Sequence, residues 1–295
     1  MPNFTICLTG HTGYIGSHFV EFLKRRGHTP FLIGREANPT RPILGCEVAK
    51  PWASIVELKR QLQDLENPVV VNIAGFFASN HKEVNFSDLI ESNFGYSISI
   101  MEAISDLPEA KMVNVGTSWE FDDSGNKSPA NFYAQLKACN SSVADWYAFY
   151  HDIRIINLKL NDTFGGNDNR AKLLPMLKLH YVKGTVAELK FSTQPINLLH
   201  ISDVCEGLLH AAQQTFELSP RKSETAFLLA RETVTLIDLV RRINALGQGM
   251  LRVNFQGDHP TEHRLREIWR DAPLLEGWEP KLVLNQALKN YFQSE

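Results

Sequence analysis

The chain has 295 residues, 43% hydrophobic and 21% charged, with 30 Lys and Arg against 33 Asp and Glu for a formal net charge of −3. This length suits one large domain, or a larger domain with a smaller lobe. The balanced charge lacks the clustered basic surplus that binding a phosphate backbone requires, so nucleic acid is not an expected partner. No run of 18 or more apolar residues is present to cross a membrane.

Short apolar runs alternate with longer segments of helical period, the pattern of βαβ units building a parallel sheet. In chain order the spacing predicts strands at 4–8, 30–33, 69–74, 111–115 and 153–160, with helices between them at 15–26, 54–65, 86–104 and 129–150. After Gly165 the regularity loosens through GGNDNRAKLLP. Beyond it come a short strand at 188–191, an apolar run at 196–201, a helix at 203–213, a strand at 225–229, a helix at 236–246, a strand at 251–255 and a helix at 282–292. The expected fold is α/β, a doubly wound parallel sheet over residues 1–165 with a smaller mixed C-terminal lobe over 166–295. A segment near 196–215 is expected to return to the larger domain.

Cys7, Cys46, Cys139 and Cys205 have neither metal-ligand nor disulfide spacing and read as thiols of a reducing compartment. His11, His81 and His200 are not spaced as ligands on one helix face, so no metal site is expected. The first apolar stretch has no basic segment ahead of it and runs into a glycine motif, so a cytoplasmic location is expected.

That motif, Gly10-His11-Thr12-Gly13-Tyr14-Ile15-Gly16, stands between the first strand and the first helix. Glycines there let backbone N–H groups approach a pyrophosphate at the positive end of the helix dipole, the Rossmann-type arrangement for a dinucleotide. Gly10, Thr12, Gly13, Tyr14, Ile15 and Gly16 are its candidate contacts. At the end of the second predicted strand the first charged side chain is Arg35, whose guanidinium suits a 2′-phosphate, so NADP(H) is favoured over NAD(H). The alternative leaves Arg35 in solvent and gives the ribose contact to Glu36.

Further along, Ala74 and Gly75 end the 69–74 strand with small residues, where a nicotinamide ribose can lie against the sheet. Thr117, Ser118 and Trp119 follow the 111–115 strand and bring hydroxyls to the carboxyl edge of the sheet, where α/β folds bind ligands. Tyr133 and Lys137 are four apart on one helix face. A phenol exchanges protons poorly at neutral pH unless a nearby cation stabilises its phenolate, so Lys137 is expected to tune Tyr133 while Thr117 or its neighbour Ser118 bonds the reacting oxygen.

In this order the motifs resemble the extended short-chain dehydrogenase/reductase family over essentially the whole chain. The resemblance implies a Thr117, Tyr133, Lys137 triad and gives Asn93 the place of the family's helix asparagine near the cofactor. DTFGGNDNRAKLLP, QPINLLHISDV with Gln194 and Asp203, HRLRE with Arg264 and Glu267, and EGWEPKLVL are similar to a narrower group, the nucleotide-sugar 4-ketoreductases of the CDP-abequose and CDP-paratose synthase type. That resemblance makes Arg170, Lys172 and Arg264 candidates for the nucleotide diphosphate, and Ser118, Trp119 and Asp162 are further candidate substrate contacts. Asp162 stands where the family often has asparagine, and Ile196 where many epimerases have an arginine. Trp119 equally suits the core, Arg170 and Lys172 a solvated loop, and Asp203 a helix cap in competition with Ser202.

The implied reaction is NADPH-dependent reduction of the C4 ketone of a nucleotide-linked deoxysugar, as in surface-polysaccharide precursor pathways, with the proton from Tyr133. The alternatives are a nucleotide-sugar epimerase that recycles NAD internally and a non-catalytic NADP sensor. The resemblance also implies a homodimer through the helices at 86–104 and 129–150, with Phe94, Ile98, Trp146 and Tyr150 at or near the interface.

Overall fold

The computed structural model describes residues 3–34, 54–78, 80–168, 170–247, 249–259 and 269–293. Arg35, Glu36, Cys46, Arg264 and Glu267 lie outside the described residues. The N-terminal half runs β1 (Ile6–Thr9), α1 (Tyr14–Arg25), β2 (Phe31–Ile33), α2 (Ile55–Gln63), β3 (Val69–Asn72), α3 (Phe86–Ile90), α4 (Tyr96–Ile104), β4 (Lys111–Thr117), α5 (Phe132–His151) and β5 (Arg154–Leu160). It continues through β6 (Asp162–Phe164), α6 (Leu173–Lys183), β7 (Val186–Phe191), β8 (Pro195–Ile196), β9 (Leu198–His200), α7 (Ile201–Gln214), β10 (Ser223–Leu228), β11 (Val234–Thr235), α8 (Leu236–Asn244), β12 (Arg252–Gly257) and α9 (Leu284–Gln293).

Six of these strands form one parallel sheet in the order β10-β5-β4-β3-β1-β2. Both faces are covered by helices, which is why its strands read as near-continuous apolar runs rather than alternating ones. Ile6 and Leu8 of β1, Val69 and Val71 of β3 and Ile156 and Leu158 of β5 enter the core under α1 and α7. Their neighbours Cys7, Val70 and Ile155 enter the opposite core, under α2, α4 and α5. A third core joins α6, β7, α8 and α9 in the smaller lobe. Although they come after the smaller lobe's first strands, α7 packs on α1 and β10 takes the edge of the large sheet beside β5.

Across the face under α4 and α5 runs a line of buried polar side chains in register. Thr9 pairs with Asn72, Asn72 with Asn114, and Asn114 with Asn157. The Thr9 hydroxyl donates to Asn72 Oδ1 at 2.7 Å, and Asn114 Nδ2 donates to Asn157 Oδ1 at 2.8 Å. Asn72 Nδ2 donates to the Ser97 hydroxyl at 2.9 Å and lies 3.4 Å from Asn114 Oδ1. At the far edge Asn157 Nδ2 reaches Ser223 of β10 and Asp145 of α5.

The elements depart from the sequence reading in three places. The helix expected over 86–104 is α3 and α4 joined by one π turn, Glu91–Gly95, a local widening found often near functional sites. The segment after Gly165, where the spacing predicts no regular element, contains α6, with Pro175 near its start. This proline falls in the first turn of α6, where a missing N–H costs nothing. Finally, α7 is capped by the His200 side chain, and the buried Asp203 carboxylate instead accepts the backbone N–H groups of Lys281 and Leu282. Asn114→Ala, which removes the middle rung of the polar line, is expected to destabilise the chain by about 3 kcal/mol through the stranded partners it leaves, measured as a lowered urea midpoint.

Candidate active site

The carboxyl ends of β1, β3 and β4 open into a cavity of about 640 Å³. One part of its wall is the glycine turn. Gly10 has φ +69°, and a Cβ there would lie 2.7 Å from the Ala74 nitrogen, so the turn accepts no larger residue without moving β3's end. Gly16 faces the Gly10 carbonyl so closely that a side chain would overlap it. The turn closes through Gly13 N–H to Gly10 O at 3.0 Å and delivers the chain to α1, whose first turn has no side-chain cap and no acidic residue. Its exposed N–H groups and dipole therefore remain for an anion.

His11, within the same turn, is 2% exposed, and neither ring nitrogen has a hydrogen-bond partner of normal geometry among the described residues. Burial lowers the pKa of its imidazole, with the Ile33 backbone opposing. The close glycine turn and the uncapped helix start on this wall fit the phosphates and ribose of a dinucleotide. Gly10, Thr12, Gly13, Tyr14, Ile15 and Gly16 would hold the pyrophosphate end, and Ala74, Gly75 and Lys137 the nicotinamide ribose.

Thr117, Tyr133 and Lys137 line this same cavity. Thr117 is the last residue of β4 and caps a single 3-10 turn, Ser118–Glu120, its hydroxyl accepting from Trp119 N–H at 3.3 Å. Ser118 instead donates to Asn161 Oδ1 at 2.5 Å and is not among the lining residues. Tyr133 and Lys137 lie on α5, started by Asn131, whose side chain accepts from Ala134 N–H at 2.9 Å. Lys137 is buried, with Nζ donating to the carbonyls of Ala74 at 3.2 Å and Val115 at 3.1 Å. Burial pushes its pKa down to about 8, with the Glu120 carboxylate opposing.

Tyr133 carries a raised pKa, chiefly from burial, with Glu120 adding to it and Arg170 opposing. Burial and the Glu120 carboxylate thus favour the protonated phenol in the folded chain.

Asn93 sits in the π turn and commits its side chain to backbone. It accepts from Phe76 N–H at 3.1 Å and donates to the carbonyls of Phe76 at 2.8 Å and Leu89 at 2.9 Å. It does not line the cavity; it secures the loop after Gly75 that does.

Asp162, Arg170, Lys172 and Trp119 also line the cavity. Lys172 Nζ stands 3.3 Å from the Phe77 ring centre and 5.6 Å from that of Trp119, a cation on an aromatic corner. Phe77 also meets Tyr133 edge-on at 5.2 Å. Asp162 has its carboxyl raised by burial, against the pull of Lys172 and Arg170. Arg170 pairs with the buried Asp168, with Nε to Oδ1 at 2.7 Å, and lies 3.7 Å from the Tyr14 ring centre, so it reaches the glycine turn as well. Sequence reasoning missed His11, Phe77 and Glu120 here. His11 and Glu120 carry a local signal, since each adjoins a singled-out residue, Gly10 and Trp119; Phe77, two residues beyond Gly75, carries less.

The curated CDP-abequose synthase of Yersinia pseudotuberculosis is 27% identical over 210 residues, 70% of this chain and 72% of the relative. The UDP-glucuronic acid 4-epimerase of Bacillus cereus, solved with a UDP-sugar and NAD, superposes with a TM-score of 0.80 at 19% identity, covering 98% of each chain. The UDP-glucose 4-epimerase of Brucella ovis, solved with NAD, gives 0.79 at 14% identity, over 98% of this chain and 97% of that one. The profile of the NAD dependent epimerase/dehydratase family matches residues 6–223, a span that holds the glycine turn, Thr117, Tyr133 and Lys137, and the chain belongs to that family.

Proposed function

We propose that the protein reduces the C4 ketone of a nucleotide-linked deoxysugar with a nicotinamide cofactor, NADPH in preference to NADH. One observation carries this proposal: a single cavity is lined by the uncapped start of α1, by Thr117, Tyr133 and Lys137, and by the Lys172, Phe77 and Trp119 corner. An anionic dinucleotide and an anionic sugar nucleotide thus share one wall of proton-transferring groups. The relationship to a CDP-abequose synthase supports the substrate class. The preference for NADPH rests on the identity of Arg35 in the sequence.

The cofactor, when bound, supplies the hydride. Tyr133, kept protonated by its burial, is the acid that a developing alkoxide requires, so the raised pKa suits the reductive direction. The Thr117 hydroxyl donates to the carbonyl oxygen and steadies its growing charge. Lys137 orders the ribose and adds positive charge beside the phenol. Lys172 and Asp162 hold the substrate, and the Phe77 and Trp119 rings present an apolar surface that suits a sugar short of hydroxyls.

The deciding experiment monitors NADPH and NADH oxidation with CDP-, dTDP-, GDP- and UDP-linked 4-keto-deoxysugars. Rapid NADPH oxidation with one of them is expected; NAD released only on denaturation, with interconversion of C4 epimers, would overturn reduction in favour of epimerisation. Tyr133→Phe is expected to lower kcat by about 10²- to 10³-fold with the NADPH Kd nearly unchanged, whereas Gly10→Ala should weaken NADPH binding in a fluorescence titration. Turnover should fall as pH rises through about 8, where Lys137 loses its proton, and a kcat against pH profile reads that limb. We also infer a homodimer through α4 and α5, where Trp146 and Tyr150 are 50% and 65% exposed; light scattering is expected to give twice the chain mass.

A further inference from the structure

The proposed reaction gives no part to Glu120, a buried acid close to Thr117. Glu120 is 1% exposed and ends the 3-10 turn that begins after Thr117. Its Oε1 accepts from Thr117 N–H at 2.8 Å. Its Oε2 accepts from Lys159 Nζ at 2.5 Å and lies 3.2 Å from the Ser141 hydroxyl. Lys159, on β5 and 0% exposed, also donates to the Ser141 oxygen at 2.6 Å. Ser141 stands one turn beyond Lys137 on α5, its hydroxyl 3.0 Å from the Lys137 carbonyl. Three elements, β4, β5 and α5, therefore meet on one carboxylate. Gly116 leaves the room: a side chain there would collide with both Glu120 and Lys159.

A buried ion pair is a weak source of stability, because two well-packed apolar side chains of similar volume commonly do as well. Here the carboxylate holds the backbone of the hydroxyl residue and lies near the catalytic lysine, where both its acceptor atom and its charge have something to act on. We propose that Glu120 is a positioning residue of this active site. One oxygen fixes Thr117 at the cavity wall, and its negative charge offsets the two buried ammonium groups, Lys137 and Lys159, that share its surroundings.

The charges around it agree. Burial lowers the pKa of Lys137, the Glu120 carboxylate opposes that fall and Lys159 adds to it. Tyr133 is raised by burial and then by Glu120, against Arg170. Lys159 is lowered by burial and supported by Glu120, with Asp145 and Lys127 as the outer charges. Without the negative charge, Lys137 and Tyr133 would both release their protons at lower pH.

This inference rests on the proposed reductase chemistry, and two variants separate its parts. Glu120→Gln keeps an acceptor for Thr117 but removes the charge; E120A/K159M removes the acceptor and both charges without stranding a buried cation. For E120Q the expected result is an unchanged KM with the high-pH limb of kcat moved to lower pH. For E120A/K159M it is a folded protein, by circular dichroism and melting, with kcat down about thirtyfold and KM nearly unchanged, because the Thr117 hydroxyl is misplaced. A folded double variant with wild-type kcat and pH profile would overturn the proposal, whether or not E120Q folds. If the wild type reduces no sugar of the panel, that failure belongs to the reductase reading, and Glu120 is judged by the pH dependence of NADPH binding in a fluorescence titration. A limb shifted to lower pH in the variants then supports it, and coincident curves overturn it.

Discussion

The amide line across the large sheet sets the register on which the site depends. In a parallel sheet buried on both faces, apolar side chains choose a face but tolerate a slip of two residues, since Val, Ile and Leu replace one another at little cost. Asn72, Asn114 and Asn157 do not tolerate it, because each buried amide is satisfied only with its neighbour level with it. Levelling those strands also levels the loops at their carboxyl ends. Thr9 precedes the glycine turn, Asn72 precedes Ala74 and Gly75, and Asn114 lies on the same strand as Thr117, close to its end. The Thr9 hydroxyl even accepts from Ala74 N–H at 3.2 Å, tying the line directly to the cavity wall.

Around the cavity the buried charges are mostly positive. Lys137, Lys159 and Lys172 are all pushed towards their neutral forms by burial, while Glu120 and Asp162 answer only part of that charge. In a protein of net charge −3 this is a local inversion, and it suits a site for two ligands bearing phosphates. The aromatic corner of Phe77 and Trp119 lets Lys172 keep its charge away from water by facing ring π-clouds.

Much of this was legible in the sequence wherever the information was local. The glycine turn is three spaced residues with a strand before and a helix after, and Tyr133 and Lys137 are one helical turn apart, so neither needed the tertiary fold. The strands of the sheet were legible because both their faces are apolar. What was not legible came from distant chain segments. The carbonyls that draw Lys137 belong to Ala74 and Val115, 63 and 22 residues away. Glu120 looks like any acid after a strand until Lys159 arrives from β5. Asn93 resembles a ligand contact in sequence, yet its amide is taken up by the loop at Phe76. Helix α6 was hidden because no capping side chain marks its start at Lys172.

The return of α7 and β10 to the large sheet bears on how the chain is made. Until residue 228 has left the ribosome, β5 is an open edge with unpaired backbone groups, and the apolar face of Ile6, Leu8, Phe19 and Leu23 lacks the helix that covers it. The first 165 residues thus emerge as a sheet with one face covered only by α1 and with the β5 edge unpaired, and its completion waits on a segment encoded after the smaller lobe has begun. Newly made chains accordingly spend that interval open to chaperones and to one another.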